Sequence, residues 1–160
     1  MILWFAVLAP VVVAEVFRSP LVDYRLVALG AVVPSLFVFA GVPPFLLTLL
    51  APVLVLTVVM LATTGRRLIR RRLLGVPIGM FIHQVLDGSW ATSSLFWWPL
   101  FGVEFEPLRV LETAPLLLRM GAEVLAAALV IPLAKRYGLT TPQGRQRLLR
   151  SGHLQRQFLS

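Results

Sequence analysis

Residues 66–87 read RRLIRRRLLGVPIGMFIHQVLD. Five arginines within seven residues precede fifteen residues whose only ionisable side chains are His83 and Asp87. An apolar run that begins at a block of guanidinium groups has the pattern of a helix entering a bilayer from its cytoplasmic side, where Lys and Arg collect.

The rest of the chain agrees with that start. Of its 160 residues, 58% are hydrophobic and 14% are charged, against roughly 25% charged in an average soluble domain. A soluble domain of this size must cover a large surface with polar groups. Fifteen bases and seven acids cannot do so when the bases are clustered, so the apolar surface has to face lipid. The net charge of +8 would suit a nucleic acid, but the bases lie between apolar spans, where membrane orientation already accounts for them. No nucleic-acid partner is expected. The lack of cysteine excludes a disulfide framework and a thiolate metal site.

The expected fold is all-α, a polytopic transmembrane helical bundle of about five spans near 1–17, 26–40, 45–63, 73–87 and 114–133, since only helices or closed barrels satisfy the backbone in lipid. Some of these stretches are short, and short spans cross where the bilayer thins. Residues 41–44, Gly-Val-Pro-Pro, break the chain as a tight turn. Met1 is followed at once by apolar residues with no positive segment, so the first span is expected to stay in the mature protein.

Five crossings place Arg18 and Arg25, then Arg66, Arg67, Arg70, Arg71 and Arg72, then Lys135, Arg136, Arg145, Arg147, Arg150 and Arg156 on one side. That is 13 of 15 bases in the cytoplasm, with Arg109 and Arg119 near the opposite face. The expected location is the bacterial cytoplasmic (inner) membrane, with the N-terminus outside and the C-terminus inside. The partners are the bilayer, anionic lipids at Arg66, Arg67, Arg70, Arg71 and Arg72, and a further membrane protein if the chain serves as a scaffold.

Residues 88–113 form an external loop rich in Trp, Phe and Glu. Such density suits an interfacial aromatic belt, or else a lid over a site. Residues 136–160 form a basic cytoplasmic tail, read as a short amphipathic helix on the inner leaflet or as disorder.

Ionisable groups inside spans are costly and are site candidates by default. His83 and Asp87, and Arg119 and Glu123, are each spaced i, i+4 and so share a helix face. If the fourth and fifth spans touch, Asp87 meets Arg119 and His83 meets Glu123. The four together are the candidate catalytic or ligand-binding cluster, against the alternative that they only pair charges across a helix interface. Glu15 is expected to snorkel or to pair with Arg18, and His153 to be a solvated tail residue.

Residues 73–90, LLGVPIGMFIHQVLDGSW, and 96–102, FWWPLFG, resemble the late motif of the membrane-bound metal-dependent hydrolases of bacterial inner membranes: His-x-x-x-Asp on a helix, a small turn, then an aromatic-Pro element. The resemblance covers about the central third of the chain. It implies His83 and Asp87 as ligands of zinc or manganese, and hydrolysis of a phosphoester or lipid. The family's early acidic and histidine elements are replaced here by Val33-Pro34-Ser35-Leu36-Phe37 and Phe45-Leu46-Leu47-Thr48-Leu49, which leaves half a metal site. The expectation is a divergent relative, weakly catalytic or non-catalytic. An accessory or scaffold subunit of a membrane complex is the alternative, and a small transporter a lesser one.

Overall fold

An aspartate ahead of an apolar run starts a helix well, because its carboxylate takes up N–H groups that the first turn leaves unbonded. Asp23 does this for the second helix, accepting from the N–H of Arg25 at 3.2 Å. Thr141 does it for the last helix, accepting from the N–H of Gly144 at 3.2 Å, with Pro142 in the first turn. Between such signals the chain is helical in the computed structural model, which describes residues 1–17, 22–42, 44–102, 114–152 and 154. The order is α1 Ile2–Phe17, α2 Tyr24–Phe39, a 3-10 turn Pro44–Leu47, α3 Leu50–Ala62, α4 Arg67–Leu73, α5 Gly75–Asp87, a 3-10 turn Ser89–Ala91, α6 Ser93–Phe96, α7 Leu116–Arg136 and α8 Pro142–Ser151. No strand occurs among the described residues.

Each of the five apolar stretches holds a helix, α1, α2, α3, α5 and α7, of 16, 16, 13, 13 and 21 residues. At ~1.5 Å per residue the four shorter ones reach only about 20 to 24 Å, less than the ~30 Å hydrocarbon layer. Among the described residues only α7 is long and apolar enough to cross a membrane unaided. Helix length therefore does not provide five full spans, and local chemistry explains part of the shortfall. Pro44–Leu47 makes a 3-10 turn where the third span was expected to begin, closed by the Thr48 hydroxyl donating to the Phe45 carbonyl at 2.7 Å. Leu74 joins α4 to α5 while keeping right-handed helical angles. The arginine block and the apolar run thus make one nearly continuous rod.

The closest helix pair is α2 with α5. They run in the same direction, with Gly75 beside Asp23 and Val27, and Gly79 beside Val27 and Ala31. The approach is backbone to backbone: a Cβ on Gly79 would collide with the Val27 carbonyl, and one on Gly30 with the Val76 carbonyl. Small residues four apart permit this contact, a device that membrane helices favour because lipid gives no hydrophobic drive for packing. Helix α1 runs against the pair, with Phe5 on His83 and Val11 sharing a cavity wall with Tyr24. Phe5, Ala9, Val13, Tyr24, Val27 and Ala31 form the main buried cluster. Helix α7 packs on α1, and α3 packs on α5.

Outside this core the surface is strongly apolar. Only 6% of the apolar window of α7 is buried, and Leu117, Val124 and Ile131 are 85%, 67% and 63% exposed. Val58 and Leu61 on α3 are 63% and 72% exposed. Contiguous patches of this kind mark a surface that meets lipid or protein.

The described bases behave differently and gather at one end. Arg70 reaches the Thr63 carbonyl at 3.2 Å where α3 turns into α4. Arg25 donates to the Leu149 carbonyl of α8 at 2.6 Å, and Arg136 pairs with Glu15 at 2.8 Å. The exception is Arg119, at the other end beside Met1.

Residues 88–102, the described part of the expected outer loop, fold back on the opposite end. Leu95 is buried against Leu47, the Leu49 N–H donates to the Phe96 carbonyl at 2.9 Å, and Trp98 stands edge-on to Phe45 with ring centres 5.9 Å apart. Trp90 and Phe101 are exposed. The remainder of that loop, with Glu104, Glu106, Arg109 and Glu112, lies outside the described residues, as do Arg18, His153 and Arg156.

Candidate functional site

Helix α5 turns a polar stripe inward. His83, Gln84 and Asp87 are 0%, 0% and 2% exposed. The His83 Nδ1 lies 2.7 Å from the Ala31 carbonyl oxygen on α2. A carbonyl only accepts, so Nδ1 carries the hydrogen and donates it. Nε2 then carries the lone pair, and it is buried with no hydrogen-bond partner. The Phe5 ring covers the imidazole with centroids 3.9 Å apart. Gln84 donates through Nε2 to the Thr48 carbonyl at 2.6 Å, while its Oε1 is buried without a partner. Asp87 accepts from the Ser89 hydroxyl at 3.0 Å. Ser35, buried on α2 one turn beyond Ala31, also has a hydroxyl with no partner. Buried polar atoms are nearly always satisfied, so three such atoms on neighbouring turns of α2 and α5 single out this region.

The four candidate residues do not pair directly as expected; they lie on two helices on either side of the Met1 ammonium, which is within electrostatic reach of His83 and pairs with Glu123. His83 and Asp87 lie in the α5 interface, whereas Arg119 and Glu123 lie on α7, against α1. Glu123 faces the Met1 ammonium at 3.7 Å in place of His83, and neither expected cross-pair, Asp87 with Arg119 or His83 with Glu123, is formed. The physical reason is that α1 supplies the packing surface for α7, so the fifth apolar helix docks on the first and not on the fourth. Arg119 Nε is itself buried without a partner.

A ligating histidine holds its other ring N–H on a carbonyl or carboxylate, and His83 does so on Ala31. A site needs at least three ligands, however. Among the described residues no group of three His, Cys, Asp or Glu side chains comes together. Ser35 and Thr48 stand in the replaced early elements; Gln84 bonds the Thr48 carbonyl, and neither residue offers a carboxylate or imidazole. The described residues do not fit a zinc or manganese centre, and no chemical step is assigned to one.

A second polar cluster forms at the arginine-rich end. Glu15 accepts from Arg136 and from the Tyr137 hydroxyl, both at 2.8 Å. Asp23, 3% exposed, takes Arg25 Nε on one oxygen at 3.1 Å and Nη2 on the other at 2.9 Å. Burial works to raise the Asp23 carboxyl, but the Arg25 guanidinium and the N–H groups of Arg25 and Leu26 outweigh it and hold it below the usual 3.8. The tail is not loose here. The Tyr24 N–H donates to the Gly152 carbonyl at 2.8 Å, and Leu148 and Leu154 pack on the main core. Gly152 has a φ of 72° and lies so close under the Asp23 carboxylate that a Cβ would strike it.

At the level of sequence, Ser35 is read only as a replacement in the lost acidic element, and neither Gln84 nor Asp23 is singled out. Gln84 and Ser35 had a usable signal, a polar residue inside an apolar span. Asp23 had another, an aspartate immediately before a helical run. No family model matches the chain, and no curated protein or solved structure matches it.

Proposed function

We propose that this chain is a multi-pass protein of the bacterial inner membrane, with its arginine-rich end in the cytoplasm and its N-terminus outside, and that it acts as a non-catalytic accessory or scaffold subunit. The observation that carries the reading is segregation: exposed Leu, Val and Ile cover the flanks of α3 and α7, while the described bases other than Arg119 sit at one end. Flanks of this kind are suited to lipid or to another membrane protein, and the cationic end to an anionic leaflet. Helices α1, α2, α3 and α5 are short for a flat bilayer, and local thinning accommodates them at a modest cost. Arg66, Arg67, Arg70, Arg71 and Arg72 then lie where anionic headgroups are.

The chain has no cysteine, so a single introduced one reports its own compartment. Arg71→Cys and Gln146→Cys should be shielded from an impermeant maleimide in intact cells, and Ser93→Cys should react. Labelling that separates Arg71 from Gln146 would defeat the reading.

A second reading is favoured by one observation, the buried lone-pair nitrogen of His83 held by Ala31. On that reading the chain is a divergent relative of the metal-dependent hydrolases that keeps His83 and Asp87 at two ligand positions but not a complete metal site. Elemental analysis of the purified protein distinguishes the two: stoichiometric zinc or manganese, lost on His83→Ala, would replace the accessory reading.

A further inference from the structure

The bundle also holds a void away from the polar stripe of α5. A cleft of about 400 Å³ opens between α1, α2, α7 and the segment of α8, walled by Ala6, Val11, Ala28, Val130, Leu133 and Leu148. That volume falls in the range of roughly 300 to 1,000 Å³ common for small-molecule sites. Its few polar wall groups are already engaged. Arg25 bonds both oxygens of Asp23 and the Leu149 carbonyl, and the Tyr137 hydroxyl bonds Glu15. A polar ligand would find little to bind inside.

Arg25 is the one charged residue in the cleft wall; Lys135, Arg136, Arg145, Arg147 and Arg150 lie on the last turn of α7 and on α8, the elements that supply Ala134 and Leu148 to it. Lys135 and Arg150 are exposed and make no ion pair among the described residues. Helix α8 supplies Leu148 to the cleft wall, its neighbour Leu149 is 71% exposed, and Arg147 and Arg150 flank the two in sequence.

We propose that this cleft holds one acyl chain of an anionic phospholipid from the cytoplasmic leaflet, with the phosphate of its headgroup against Lys135 and the basic side of α8. The inference rests on the membrane reading above. An apolar slot at the arginine-rich end, with the unpaired Lys135 and Arg150 on the elements beside it, matches a molecule with a hydrocarbon tail and a negative head. The site is distinct from the arginine block of α4, none of whose residues lines this cleft.

The test uses the full chain in nanodiscs of equal parts phosphatidylglycerol and phosphatidylcholine, read by native mass spectrometry of the released protein. The wild type should retain one lipid, with phosphatidylglycerol preferred. Ala28→Phe, which fills the cleft, should retain none. The double variant Lys135→Gln/Arg150→Gln should keep a bound lipid but lose preference for the anionic one, by about fivefold per cation removed. A photoreactive phosphatidylglycerol with its label in the acyl chain should attach to residues around Val11 and Leu133 in the wild type, which decides the matter if Ala28→Phe does not fold.

Retention of phosphatidylglycerol by a folded Ala28→Phe, equal retention of both lipids by the wild type, or cross-links confined to α3 would each overturn the proposal. Carbonate extraction of cell membranes separates the two levels. A chain released by carbonate defeats the membrane reading itself. A chain that stays but holds no anionic lipid defeats only the cleft.

Discussion

His83 on α5 is tied to the backbone of α2 through the Ala31 carbonyl at 2.7 Å, with the Phe5 ring of α1 closing over its face. One imidazole thus joins three helices. The bond forms where the two parallel helices come closest, because Gly79, one turn earlier, removes the side chain that would hold them apart.

If that anchoring is the role of His83, an amide donor should replace it. His83→Asn keeps an N–H able to reach the Ala31 carbonyl, and should retain most of the wild-type thermal stability in detergent. His83→Ala loses an interhelical bond worth about 1 kcal/mol and leaves a cavity beneath Phe5, so a total loss of about 2 kcal/mol or more is expected. Melting curves of the three proteins check this. Equal damage from both substitutions would argue for a role that needs the imidazole itself.

The glycine contact makes a sharper demand. Gly79→Val must push α5 away from the Val27 carbonyl, and overpacking of this kind costs about 1–3 kcal/mol. Gly121 on α7 provides the contrast, since nothing lies within 4 Å of a Cβ placed there. Gly121→Ala should be neutral or stabilise by up to about 1 kcal/mol through helix propensity. The yield of monodisperse protein and its melting temperature should fall for the first and hold for the second.

The helix positions were legible in the sequence because hydropathy and the breaks at Pro and Gly locate them. The pairing of those helices was not. The i, i+4 spacing showed that His83 and Asp87 share a face of α5 but carried no information on which helix that face meets. The Gly75–Gly79 repeat, followed four residues on by His83 and again by Asp87, was the available clue. It marks a close-packing stripe, which meets the backbone of α2 at Val27, Gly30 and Ala31. Residues 45–47 show another limit: their hydropathy suits a span, yet Pro44 and the Thr48 side chain close a tight turn there.

The ion pair between Glu15 and Arg136 joins α1 to the end of α7 at 2.8 Å, but the side chains are 33% and 42% exposed. Solvent screening at that exposure limits such pairs to about 1 kcal/mol or less. A double-mutant cycle of Glu15→Gln and Arg136→Gln should therefore give a small coupling energy that shrinks further in high salt. A coupling of several kcal/mol would mean that this end of the bundle is drier than its exposure indicates.

Asp23 should make the attachment of the tail sensitive to acid. Its carboxyl is held below the usual 3.8 despite its burial, chiefly by Arg25. A carboxyl with a lowered folded-state pKa stabilises the fold above its unfolded-state value, and that contribution fades as pH falls through the folded-state value. Asp23→Asn preserves helix capping, since Asn and Asp cap about equally well, and removes only the charge. The wild type should exceed Asp23→Asn in stability near about pH 7, and the two curves should converge as the pH drops below the ordinary carboxylate range of about 4. Because Gly152 lies against the same carboxylate, release of residues 142–152 should accompany the convergence, visible as faster amide exchange in α8 after correction for the intrinsic pH dependence. Curves that stay parallel down to low pH would show that the carboxylate charge does not hold the tail in place.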